Sequence, residues 1–502
     1  MGKDPVEREV KLAADLQFAL PDLRMLVKRV VRVPEQRLLS TYFDTPDYRL
    51  WHRGIALRHR TGEGSRLWTL KLPKPSSGPT IDRIELEWGG PVEVIPMEAQ
   101  NIVQGIVRRV PLRRVTSLHT DRRRLMLQGG KNRLVAELDD DTVTIHGGPH
   151  DGVRFRQVEV ELAEGHDHLL KACIEQLVEA GAWVDRRPKL AYAIDIRGDG
   201  GGLQLGPKST TRDAVRASLG NGLNRILSHE YLLRLGPDPS AEAIHQTRVA
   251  ARRLRSDLNT FKALLDPLWV AHARSDLKWV GDALGLVRDA DVLREHLGQP
   301  GSSTTEEPNG ASSLHHGLRE QRLEGTETLT RVLESERYLV LLDKLNAAAE
   351  WPPFFSSRRQ SRHDLVNGRA SKTLPKTVER PLRKMNKEAQ RAGEKPTNRQ
   401  LHKIRVRAKQ IRYAAEVATP VIGKPAIHLA RAAESLQTVL GEHHDAVVAE
   451  EWLRKRARGA SWKVAFTAGE LASEQNRRQQ HFRKGWRAHL KKVDRSAQRW
   501  PG

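Results

Sequence analysis

The chain has 502 residues, room for two to four domains, with 38% hydrophobic and 29% charged residues. Its net charge of +23 excludes a neutral surface, and its single Cys173 excludes an internal disulfide or a cysteine-based zinc cluster. No apolar run approaches the ~20 residues needed to span a bilayer, and Met1–Lys11 has no apolar core of a secretory signal, so a soluble cytoplasmic protein is expected. The charge is unevenly placed: residues 1–200 carry a net +3 and residues 201–502 a net +20. The second part should therefore attract a polyanion such as polyphosphate or nucleic acid.

In chain order, the first part consists of short segments with period-two alternation separated by Gly, Pro and Asp, the pattern of antiparallel strands. Glu7, Glu9 and Lys11 share one strand face. Arg58 and Arg60 share another, as do Thr69 and Lys71, and Arg83, Glu85 and Glu87. Arg122 and Arg124 share a parity, Glu137 and Asp139 do so too, and Glu159 and Glu161 alternate with Val158, Val160 and Leu162. A half-exposed sheet with a polar outer face accounts for any one segment. Seven segments whose polar stripes are almost all acid and guanidinium are better explained by a sheet closed on itself, charge inside. Helices near Asp22–Val31 and His166–Ala180 would cover its apolar outside. Such a lumen suits a ligand rich in phosphate oxygens together with a divalent metal: Arg and Lys for phosphate, carboxylates for Mg²⁺ or Mn²⁺.

A Gly-rich stretch, Arg197–Lys208, reads as a linker. Beyond it, long Ala-, Leu-, Arg- and Glu-rich segments carry helical spacing, interrupted by irregular stretches at Gly298–Ser313 and Trp351–His363. The helical part repeats itself. His245-Gln-Thr-Arg248-Val-Ala-Ala-Arg252-Arg-Leu-Arg255 parallels His402-Lys-Ile-Arg405-Val-Arg-Ala-Lys409-Gln-Ile-Arg412, and Leu284-Gly-Leu-Val-Arg-Asp289 parallels Leu440-Gly-Glu-His-His-Asp445. An internal duplication follows. In each copy the cations fall three or four apart, in line on one helix face, where like charges repel by a few tenths of a kcal/mol per pair. A stripe that recurs at matching positions argues for an anion between the copies. The stripes lack the interleaved aromatics of single-strand binders, which favours phosphate recognition over nucleic acid. His443 and His444 are adjacent, so only one of them can face a common groove.

These motifs resemble two known families. Glu7-Arg-Glu9-Val-Lys11, Tyr42–Arg60, Trp68–Pro73, Val158–Leu162 and Arg186–Tyr192 are together similar to the CYTH superfamily, the triphosphate tunnel metalloenzymes, over about residues 5–197. The resemblance implies an eight-stranded antiparallel β tunnel with flanking helices that hydrolyses triphosphates with Mg²⁺ or Mn²⁺. It makes Glu7, Glu9, Glu159 and Glu161 metal ligands, and Lys11, Arg58, Arg60, Lys71, Arg122, Arg124 and Lys189 phosphate ligands. Glu85, Glu87, Glu137 and Asp139 become further tunnel carboxylates that could orient water. Tyr192 stands where the family commonly has Arg, with Arg186 or Arg187 as substitutes.

The His245–Phe261, Leu284–Leu293, His402–Glu416 and Leu440–Leu453 segments resemble the CHAD, or conserved-histidine α-helical, domain over about residues 208–495. This resemblance implies two helical bundles around a basic cavity for inorganic polyphosphate, held by His245, Arg248, Arg252, Arg255, His402, Arg405, Lys409 and Arg412. The fold expected is thus α+β: a tunnel domain over 1–197, a linker over 198–208 and an all-α domain over 209–495, with repeats at about 209–300 and 314–495. The expected function is metal-dependent triphosphate hydrolysis coupled to polyphosphate binding, with an association with polyphosphate granules and no membrane partner. The alternatives are a non-catalytic polyphosphate-binding protein, an adenylate cyclase or a thiamine triphosphatase. Phosphoanhydride hydrolysis by positioning and electrostatics needs no nucleophilic side chain, and no GxSxG, catalytic Cys or Walker motif occurs.

Overall fold

The computed structural model describes residues 8–62, 64, 66–74, 83–163, 167–194, 203–297, 310–355 and 360–501. Glu7, residues 197–202 of the linker and residues 298–309 of the second irregular stretch lie outside them. The chain forms two compact units, Met1–Gly200 and Gly201–Gly502.

The first unit is one antiparallel sheet. Its eight long strands are β1 (Arg8–Ala14), β3 (Gln36–Asp44), β4 (Ala56–Thr61), β5 (Arg66–Pro73), β6 (Arg83–Gly89), β7 (Arg113–Gln128), β8 (Leu134–His146) and β9 (Arg154–Leu162). Two short strands, β2 (Arg29–Arg32) and β10 (Trp183–Val184), bring the total among the described residues to ten rather than eight. The order is β10-β1-β9-β8-β7-β3-β4-β5-β6, with β2 added on β7. Among the described residues no ladder joins β6 back to β1.

Each of the seven alternating segments became a strand because its acid and guanidinium residues recur every second position opposite Leu, Ile, Val or Trp. Strand β3 escaped that pattern because the residues on the charged side of the sheet are Leu38, Ser40 and Tyr42. The apolar backs of β1, β7, β8 and β9 form a core with Leu169, Cys173 and Leu177 of helix α2 (Asp167–Glu179), as expected of the helix near His166–Ala180. The segment at Asp22–Val31 is not a helix. It is a turn running into β2, and Leu23, Leu26, Val27 and Val30 reach the same core from it. Two helices were not anticipated, α1 (Met97–Val107) and the short α3 (Lys189–Ala193).

The second unit is all helix: α4 (Thr211–Glu230), α5 (Ala241–Phe261), α6 (Pro267–Leu297), α7 (Gly310–Glu334), α8 (Glu336–Glu350), α9 (Gln360–Asn367), α10 (Ala370–Ala392), α11 (Asn398–Ile422), α12 (Lys424–Ala457) and α13 (Trp462–Ala497). Residues 310–313 and 360–363, expected to be irregular, belong to α7 and α9. Successive helices pack as α4/α5/α6/α7 and again as α10/α11/α12/α13, and the two sets meet through α5 with α11 and α6 with α12. Their apolar faces merge into one continuous core running from Ala214 and Val215 to Trp486 and Val493. The duplication extends to the caps. Ser240 caps α5 by accepting from the Ala243 N–H, and Thr397, in the corresponding place, caps α11 within a capping box with Gln400. Each cap fixes where its helix starts, and therefore where its cationic stripe points.

Candidate functional site

In the first unit, strand register places the charged rows of all the alternating segments on one face. Lys11 lies opposite Glu159, Glu159 opposite Asp139, and Asp139 opposite Arg124. Beside that row, Glu9 lies opposite Glu161 and Glu161 opposite Glu137. On the far side of β3, Arg58 lies opposite Thr69 and Thr69 opposite Glu87, while Lys71 lies opposite Glu85. Like charges directly across a ladder are destabilising. A Glu9–Glu161–Glu137 row therefore costs stability unless cations attend it.

The centre of this face is a dense ion network. Lys189, brought in by α3, donates to Glu159 at 2.7 Å and to Asp141 at 2.9 Å. Arg122 grips Asp141 through two bonds of 2.8 and 2.7 Å and reaches Asp139 at 2.6 Å. Arg124 holds Asp139 in the same two-pronged way, at 2.7 and 2.9 Å, with Glu137 at 3.6 Å. Lys11 bonds Glu9 at 2.7 Å and stands 3.7 Å from Glu159. Lys71 pairs with Glu85, and Arg60 Nε donates to Ser40 Oγ at 3.2 Å. Burial disfavours the Glu159 carboxylate, but Lys189 and then Lys11 outweigh it and hold its acid down to about 2. Burial likewise opposes the charge on Lys189, yet Glu159 and Asp141 raise its affinity for a proton above the ordinary lysine value.

Sequence reading missed Asp141, which is fully buried and shares the parity of Glu137 and Asp139; that parity was the available signal. The run Asp139-Asp140-Asp141 splits between faces. Asp140 points outward, where Arg156 and Arg123 neutralise it in a purely structural cluster. At the Tyr192 position, the Arg187 guanidinium stacks 4.4 Å above the Tyr192 ring, and both bond Asp185. Arg187 is thereby tied back, and Arg186 is exposed.

In the second unit the two stripes line one cavity of about 920 Å³. From the first copy come His245, Arg248, Arg252 and Arg255; from the second, His402, Arg405 and Lys409. Arg412 does not line it: Glu416 at 2.7 Å and Glu434 at 2.9 Å draw its guanidinium away. Arg274, Lys278 and Arg288 of α6 add positive charge that the stripe pattern did not reveal, because they lie on a different helix. His444 lines the cavity and its neighbour His443 is buried elsewhere, as expected of adjacent helical residues. Tyr413 supplies an aromatic wall.

The repeated Leu-Gly motifs have a shared geometry. The Arg248 guanidinium lies over Gly285, 3.4 Å from where a Cβ would stand, and bonds Asp289 at 3.0 Å. Arg405 lies over Gly441 in the same way, at 3.6 Å, with Asp445 at 3.9 Å. The buried Nε atoms of Arg248, Arg252 and Arg405 have no hydrogen-bond partner. Burial, followed by Arg405 and Arg252, pulls the Lys409 ammonium down to about 6. Burial and neighbouring cations lower His245 and His402 as well, and bring His444 to about 4. Crowding uncompensated cations around one cavity is costly, and an anion is what relieves it.

Comparison with known proteins agrees with this division. The CYTH domain family matches residues 6–182 and the CHAD domain family matches residues 217–454. An uncharacterized protein of Mycobacterium tuberculosis is 29% identical over 505 residues, covering 94% of this chain and 93% of the relative. A crystal structure of the CHAD domain from the plant Ricinus communis is 27% identical, covers 58% of this chain and 94% of its own, and has a TM-score of 0.47. A putative adenylyl cyclase from Hippeastrum, described as having a dominant triphosphatase activity, is 16% identical, covers 36% of this chain and 92% of its own, and has a TM-score of 0.23. Among the described residues no helix is long and apolar enough to cross a membrane. The chain carries a CYTH domain over residues 6–182 and a CHAD domain over residues 217–454.

Proposed function

We propose that the CYTH domain hydrolyses inorganic triphosphate or a related triphosphate compound with a divalent metal, while the CHAD cavity binds inorganic polyphosphate. The observation that carries the first half is the single charged face, on which Lys189, Arg122 and Glu159 form a largely buried network. Lys11, Arg58, Arg60, Lys71, Arg122, Arg124 and Lys189 are the phosphate ligands in this reading. All but Arg58, whose buried Nε has no hydrogen-bond partner, exchange a carboxylate or hydroxyl partner for a phosphate oxygen, at little desolvation cost because the site is already built for charge-assisted bonds.

Among the described residues no three acidic or imidazole side chains converge to hold an ion. The donor chemistry nevertheless fits a hard cation, since Glu9, Glu161 and Glu137 form an all-oxygen row. Those three, with Glu7, would hold Mg²⁺ or Mn²⁺; Glu159 serves to orient Lys189 and Lys11. The metal supplies charge neutralisation on the phosphoryl oxygens. Glu85, Glu137 and Asp139 are engaged by cations, whereas Glu87 has no ion pair among the described residues and faces the same side as Arg58. Glu87 is therefore the carboxylate that accepts the proton of the attacking water.

The CHAD cavity concentrates polyanion on the same polypeptide as the hydrolytic site, an effective-concentration advantage. Phosphate release from tripolyphosphate with Mg²⁺ or Mn²⁺, compared with diphosphate, ATP and long-chain polyphosphate, tests the proposal. Glu9→Gln and Glu87→Gln should each lower release by about a hundredfold. Equal release from wild type and both variants would overturn the hydrolytic reading.

A further inference from the structure

The cavity is less symmetric than the sequence that builds it. The offset that superposes His245 on His402 also superposes Arg255 on Arg412, and the one that superposes Gly285 on Gly441 along α6 and α12 superposes Arg274 on Ala430 and Lys278 on Glu434. The three first-copy residues line the cavity and none of the second-copy residues does. The cause is local. Arg412 is held by Glu416 and Glu434, and the positions corresponding to those acids in the first copy are Asn259 and Lys278, neither of which can hold a guanidinium. Arg255 and Arg274 accordingly have no ion pair among the described residues, and the buried Nε of Arg274 has no hydrogen-bond partner. Lys278 is exposed and, among the described residues, pairs only with Asp282, an exposed carboxylate one turn along its own helix.

The opposite end of the cavity differs in charge. There Asp289 and Asp445 enter the lining, and Arg288 is engaged by Glu295. A polyanion leaving over that end passes two carboxylates; one leaving between α5 and α6 passes Arg255, Arg274 and Lys278. The cationic line on α5 from His245 to Asn259 is about 21 Å long at 1.5 Å per residue.

Resting on the reading of this cavity as a polyphosphate site, we propose that it is a polarised track. Short polyphosphates are held at the centre by Arg248, Arg252, Arg405 and Lys409. Longer chains leave in one direction, across Arg255, Arg274 and Lys278 of the first copy, so chain length is discriminated at that end.

The test measures binding of tripolyphosphate and of long-chain polyphosphate to the full chain, with divalent metal chelated and at fixed salt. The binding that remains in an Arg252→Ala/Arg405→Ala variant reports the CYTH domain and is subtracted. Arg274→Ala/Lys278→Ala should weaken long-chain binding about tenfold, leave tripolyphosphate within twofold, and flatten the salt dependence for the long chain only. Lys424→Ala/Arg431→Ala removes the same charge from the second copy outside the cavity and should change neither. If both double variants act alike, or if Arg274→Ala/Lys278→Ala weakens both ligands equally, the polarity is refuted while the polyphosphate reading stands. If Arg252→Ala/Arg405→Ala loses no binding at all, the polyphosphate reading itself fails.

Discussion

Lys189 and Glu159 meet at 2.7 Å although one sits on a short helix and the other in the middle of a strand. Around them Asp141 and Arg122 complete a buried network in which each charge is neutralised by at least one other. Removing a single member leaves a buried charge unpaired, which is costlier than removing the pair. Asp141→Ala should therefore destabilise the CYTH domain by about 3–5 kcal/mol, read from denaturant midpoints at constant slope. Added tripolyphosphate should restore much of that loss, because a phosphate oxygen can take the place of the carboxylate beside Arg122 and Lys189. A stability unchanged by the substitution would show that the network contributes nothing.

The same network sets an acid limit. Glu159 in the folded chain ionises at about 2, below its ordinary value of 4.5, and Asp141 is also held below its usual range. A lowered folded-state value means that the unfolded chain binds more protons in the interval between, so stability falls as pH falls. The contribution should be complete above about pH 4.5 and be lost progressively toward pH 2. Thermal unfolding from pH 6 to pH 2 checks this, and Glu159→Gln should show a shallower decline.

Lys409 carries the opposite dependence in the cavity. Its folded value of about 6 lies far below that of a free lysine, so the empty protein holds it largely neutral at pH 7. An anion in the cavity favours the ammonium, so binding takes up protons and affinity rises as pH falls toward about 6, then levels. Calorimetry in two buffers of different ionisation enthalpy measures the uptake directly. Lys409→Met should stabilise the empty protein by about 1–3 kcal/mol, the cost of a poorly compensated buried polar group, and should weaken polyphosphate binding. An affinity independent of pH between 8 and 6 would contradict this account.

The corresponding arginines Arg255 and Arg412 should behave differently, and so should Arg405 and Arg412 on the same helix. Arg405→Ala should weaken polyphosphate binding about tenfold, whereas Arg412→Ala should leave it within twofold and instead lower stability by about 1 kcal/mol through loss of the Glu416 and Glu434 bonds. Titration of both variants with one polyphosphate at one salt concentration separates them. Equal losses would mean that Arg412 reaches the ligand after all.

Much of this protein was legible in one dimension. Period-two alternation identified seven of the eight long strands and put Glu9, Lys11, Arg58, Glu159 and their partners on one face, because side-chain direction in a strand depends only on parity. Helical spacing and the repeat likewise placed His245, Arg248, Arg252, His402, Arg405 and Lys409 in a common cavity. What depended on the tertiary structure was every choice between partners. The short helix α3 brought Lys189 to Asp141, two neighbouring acids turned Arg412 away while Arg255 stayed, and α6 delivered Arg274 and Lys278 from outside the motif. Periodicity fixes the direction in which a side chain leaves its own element; which charge it then meets depends on elements distant in sequence, and Coulombic pairing is decided over a few ångströms.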